Sequence, residues 1–97
     1  MDKEEIKVKL LAETAKVSWQ EVEKFFARGV LLKVSSELDL VEVVTQIACD
    51  ESEAIAKLMQ ADKLVELSVG QAKVWSKSDS DFWAVVVSPW VIVQQHV

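Results

Sequence analysis

The sequence predicts an α+β domain, or a small α/β one, in which about five helices flank a small sheet of three to four short strands. Three observations carry this. Four stretches place a small polar residue three positions ahead of an acid or amide, the pattern that opens a helix: Asp2 to Glu5, Ser18 to Glu21, Asp50 to Glu53 and Ser68 to Gln71. Apolar residues then recur at three- and four-residue spacing. Between these stretches lie short extended runs, "VLLKVS" and "KLVELS", and the chain closes on "FWAVVVSPWVIVQ". At 97 residues the chain makes one domain, residues 1–97, with room for a modest core.

Taken in order, Ile6, Leu10, Glu13 or Thr14, and Val17 give a first helix one apolar face. After Ser18, Trp19, Val22, Phe25 and Phe26 mark a second helix, which Gly29 ends because glycine accepts the left-handed backbone that closes a helix. "VLLKVS" reads as a strand. Leu40, Val41, Val44, Ile47 and Ala48 form the stripe of a third helix, with Glu42, Thr45 and Gln46 on its other side. Ile55, Leu58 and Met59 mark a fourth, "KLVELS" a second strand, and "VGQAKVWSK" a short fifth helix carrying Trp75. A crossover through helices three and four makes the two strands parallel if they are neighbours. Sliding the sequence by about 33 residues overlays helix, strand and helix on the same order again, a candidate internal repeat.

The terminal run is too short for a membrane span, which needs about 20 apolar residues. Trp83, Val85 and Val87 share one side of an extended chain and Ala84 and Val86 the other, so both faces of this strand are covered. Ser88 and Pro89 do not suit the favoured two-residue hairpin turns, which need positive φ. Two segments joined by a kink at Pro89 are expected instead. Trp90, with Val91 and Val93, is the candidate surface for a homodimer, because a two-fold contact is the commonest way to bury such a patch.

The formal net charge is -5 with no compensating cluster of Lys and Arg, so nucleic acid is not an expected partner. The single cysteine, Cys49, excludes an internal disulfide framework and fits a reducing, cytoplasmic setting. "MDKEEIKVKL" lacks the apolar segment of an export signal, so a soluble protein is expected.

The segments "LAETAKVSW", "FFARG", "LDLVEV" and above all "FWAVVVSPWVIVQ" resemble the small bacterial proteins of domain-of-unknown-function family 2288, over nearly the whole chain. That resemblance implies a single-domain cytoplasmic protein without an established activity and transfers no catalytic or ligand residues. The chain departs from the family's pattern at Ser88, where alanine is expected, and at Leu58 and Met59, where a tryptophan is expected nearby.

Chemistry is sparse. Gly29 and Gly70 are too far apart to cradle a phosphate. Cys49 and His96 are the one conventional nucleophile and base, but Cys49 ends an apolar stripe and His96 sits at the chain terminus, so neither is taken as catalytic. Glu37, Asp39 and Glu42, like Asp50, Glu51 and Glu53, stand at helix starts, where carboxylates complement the dipole, so no metal or other cofactor is assigned. The expected function is a non-catalytic interaction or regulatory module that self-associates through its C-terminal strand region or meets another protein partner. The alternative is a small-molecule binder or enzyme whose pocket combines tryptophan with a carboxylate. Candidate residues for one or the other are Trp19, Trp75, Trp83, Trp90, Val91, Val93, Glu13 and Asp39.

Overall fold

A computed structural model describes residues 2–77 and 81–95. Among them the elements run α1 (Lys3–Glu13), β1 (Ala15–Val17), α2 (Trp19–Ala27), β2 (Leu31–Val34), α3 (Leu40–Ala48), α4 (Ser52–Gln60), β3 (Leu64–Glu66), α5 (Val69–Ser76), β4 (Phe82–Val87) and β5 (Trp90–Gln95). The class is α+β, with one strand more than expected. The five strands form one mixed sheet in the order β1-β4-β5-β2-β3. Only β2 and β5 pair in parallel; the other neighbours are antiparallel.

Local chemistry accounts for the helix starts. Asp2 accepts from the Glu4 amide, Asp39 from those of Val41 and Glu42, and Ser68 from that of Gln71. At α2 the Ser18 amide donates to the Glu21 carboxylate over 2.7 Å. Gly29 has φ +74° and ends α2, its amide on the Phe26 carbonyl and that of Val30 on Phe25. Asp62 closes α4 in the same way, and Asp50 closes α3, both with positive φ, a conformation aspartate tolerates better than most residues. Asp50 therefore ends α3 and does not open α4, whose N-cap is Glu51.

Helices cover both faces of the sheet. On one, Trp19 and Val22 of α2 and Ala72 and Trp75 of α5 pack on Leu31, Phe82, Ala84, Val91 and Val93. On the other, Leu10 of α1 and Leu40, Val43 and Val44 of α3 pack on Leu32, Val34, Leu64, Val85 and Ile92, with Ile55 and Leu58 of α4 at the margin. The terminal run follows the expected parity, Phe82 and Ala84 lying on the first face and Trp83, Val85 and Val87 on the second.

Four expectations need correction. The first helix stops at Glu13, and Ala15–Val17 pairs with β4 as an edge strand; Val17 fits a helical spacing and a half-covered strand equally well. The run 82–95 is a hairpin, with Val87 opposite Trp90. The Ser88–Pro89 peptide is cis, which gives the turn class that carries proline at its second central position and needs no positive φ. β2 and β3 are neighbours but antiparallel. One crossover helix returns the chain to the end where the first strand began, whereas two in succession deliver it to the opposite end. In α3 the buried face is Leu40, Val43, Val44 and Thr45; the Thr45 hydroxyl is spent on the Val41 carbonyl at 2.6 Å, and Ala48 is exposed.

The shift of about 33 residues carries α2 onto α4 and the start of β2 onto β3, but α3 and α5 fall out of step. The shared helix-closing bonds also end α3, so they are a stop used three times among the described residues and not a mark of the repeat.

Candidate functional site

The four tryptophans do not share one site. Trp75 is 1% exposed and stacks against Phe82 with ring centroids 4.4 Å apart. Trp19 meets Trp75 edge-on at 6.3 Å and Phe26 at 5.9 Å. Such tilted pairs suit the aromatic quadrupole. Trp83 lies on the other face, half-buried, opposite Lys16, whose ammonium is 5.9 Å from its ring. Trp90, at the hairpin turn, shares the parity of Ile92 and so lies on the face away from Trp19 and Trp75; it is 37% exposed. A pocket built jointly by Trp19, Trp75 and Trp90 is therefore not formed. Val91 and Val93 are core residues under α2 and α5, so the surface expected to combine them with Trp90 reduces to Trp90. Val86, which pairs with Val91, is 57% exposed on the opposite face.

Glu13 is exposed at the end of α1, and Asp39 is engaged as the cap of α3. The acids of the α3–α4 turn border an open hollow of about 520 Å³, where Glu51 is paired with Lys3 at 2.9 Å. Lys7 pairs with Glu42 at 3.0 Å, so α1 is clamped to both ends of α3. The hydrogen bonds that the Lys3 and Lys7 ammonium groups donate to the Glu51 and Glu42 carboxylates hold both above the ordinary lysine range. Among the described residues, no group of three or more His, Cys, Asp or Glu is placed to hold a metal ion, and no helix is long and apolar enough to cross a membrane. His96 lies outside the described residues.

Two smaller hollows open on the α2–α5 side. One, of about 190 Å³, lies between the two helices and brings Trp19 together with Glu23, Phe26, Val69 and Lys73. The other, of about 220 Å³, lies where β3 runs into α5 and is bordered by Lys33, Ser68 and Gln71. Sequence reasoning passed over Lys33 and Gln71, which are 38 positions apart and hydrogen-bonded at 3.2 Å. The available signal was parity: Lys33 stands two positions after the core residue Leu31 and so shares its face of the strand.

The family model for a protein of unknown function, DUF2288, matches residues 5–95. The NMR solution structure of PA1075 from Pseudomonas aeruginosa is similar to this chain, with a TM-score of 0.84 and 43% identity, over 95% of this chain and 85% of that one. Among proteins with a curated description, none matches.

Proposed function

This chain belongs to the DUF2288 family, and from that premise we propose a non-catalytic interaction or regulatory module that self-associates through the turn end of the β4–β5 hairpin. The observation that carries this reading is Trp90, a large aromatic left 37% exposed at the turn end of an otherwise covered sheet. A stable interface buries roughly 800 Å² per partner, several times one tryptophan, so Trp90 acts as an anchor and the dimer is weak and concentration-dependent. The lone thiol, Cys49, supports a reducing cytoplasmic setting.

Light scattering on a size-exclusion column, over a range of concentrations, tests the reading. The wild type is expected to approach dimer mass as concentration rises, and Trp90→Ala to remain a folded monomer. A wild type that is monomeric throughout overturns it.

A second reading, a small-molecule binder, is favoured by the hollow that combines Trp19 with Glu23. Indole serves as the probe. A saturable shift of the Trp19 indole N–H resonance supports this reading, and an unmoved resonance rejects it.

A further inference from the structure

Lys33 stands on the sheet face covered by α2 and α5, between Val65 of β3 and Val93 of β5 in the strand register. Its stem lies along apolar neighbours and its head is half-buried. Among the described residues the ammonium has one hydrogen-bond acceptor, the neutral Gln71 Oε1, and no carboxylate within ion-pair distance. A charge drawn partly out of water favours an opposite charge beside it. The Gln71 amide nitrogen is left as a further donor, because its oxygen is the atom engaged with Lys33. One turn further along the same face of α5, Trp75 carries a buried indole N–H without an acceptor among the described residues, its ring centroid 5.9 Å from the Lys33 ammonium. Lys33 and Gln71 thus bring spare donors to the border of one small hollow of about 220 Å³, with the Trp75 ring close behind the ammonium.

We propose that this hollow binds a small monocarboxylate, with Lys33 supplying the charge and Gln71 a second donor. The hollow has room for a small organic acid. Lys33 balances a single negative charge, and the chain's formal net charge of -5 disfavours a doubly charged ligand such as phosphate. Val65 and Leu67 supply an apolar wall for the rest of the ligand. This site is separate from the hairpin end and does not depend on self-association.

The test follows amide and indole resonances of the isotope-labelled protein during titration with acetate and, separately, with inorganic phosphate at constant ionic strength. Acetate is expected to shift the Trp75 indole N–H and the amides of residues 68–71 saturably, with phosphate weaker. Lys33→Met removes the charge and keeps the stem; it is expected to weaken acetate binding about tenfold or more, as for one lost charge-assisted hydrogen bond. Gln71→Leu, expected to weaken it less, carries the test if Lys33→Met does not fold. Shifts that stay linear to the highest acetate concentration, or an unchanged response in the folded variants, overturn the proposal. Phosphate binding as tight as acetate overturns the assignment to a monocarboxylate.

Discussion

The two faces of the sheet are built from different materials. The face under α1, α3 and α4 is aliphatic at its centre, where Leu10, Leu32, Val34, Val44, Leu64, Val85 and Ile92 fill it, with Trp83 at the margin. Its polar groups are spent internally. Gln94 donates to the Ser35 and Leu38 carbonyls at 2.9 and 2.6 Å and so pins the β2–α3 connection to β5. The face under α2 and α5 is aromatic, with Trp19, Trp75 and Phe82 at its centre, and it retains unspent donors at Lys33, Gln71 and the Trp75 indole. The unspent donors thus collect on the aromatic face, which is the one on which binding chemistry can be placed.

The largest expected effect would break that contrast at its centre. Trp75→Ala removes a fully buried ring and is expected to cost about 3–5 kcal/mol, read as a fall in the denaturant midpoint with unchanged slope. A loss under about 1 kcal/mol would mean that the aromatic layer adds little and that the aliphatic face alone holds the fold. On the opposite side, Gln94→Leu keeps the volume but strands two carbonyls, one at Ser35 and one at Leu38. The expected cost is about 2 kcal/mol, with faster amide exchange confined to residues 35–40. Uniform exchange across the sheet would instead make Gln94 an ordinary surface contact.

How well the sequence revealed each face follows from the range of the interactions involved. α2 was readable to its ends, because Ser18, Glu21 and Gly29 act through neighbours in the chain. The strand count fell short because β1 has only three residues and owes its extended state to pairing with β4, some 65 positions away. The hairpin was missed because the turn rule applied to Ser88 and Pro89 assumed a trans peptide. Among the candidate site residues, Trp19 and Trp75 do come together, while Val91 and Val93 proved to be core. An apolar strand reads the same in sequence whether its own helices or another molecule cover it. Lys33 and Gln71 escaped notice for the complementary reason: one charge in a short apolar run looks like surface until the sheet places it on an inward face.

A smaller effect sharpens the comparison at the start of α3. Asp39 accepts from the Val41 and Glu42 amides at 3.0 and 3.4 Å. Asp39→Ala is expected to cost about 1 kcal/mol, and Asp39→Asn to recover most of it, since the cap needs an acceptor more than a charge. If asparagine fails to rescue, Asp39 has a role beyond the cap, and its early candidacy as a binding residue returns.

The smallest effect concerns the clamp between α1 and α3. Lys3 and Lys7 reach Glu51 and Glu42 across an exposed edge, and pairs of this kind gain little over their hydration. Both ammonium groups are held above the ordinary lysine range, foremost by the hydrogen bonds to those carboxylates. A group whose pKa is raised by folding contributes its full stabilisation below its unfolded pKa and loses it as pH rises through the folded value. Any contribution is therefore complete at neutral pH and disappears only in strong alkali. The double variant Lys3→Met, Lys7→Met is expected to leave the neutral denaturation midpoint unmoved within error, while Leu10→Ala, which removes the one fully buried side chain of α1, lowers it clearly. The opposite order would mean that α1 is held by charge and not by packing. The aliphatic face would then be closed at its edge by a contact that 1 M salt can screen.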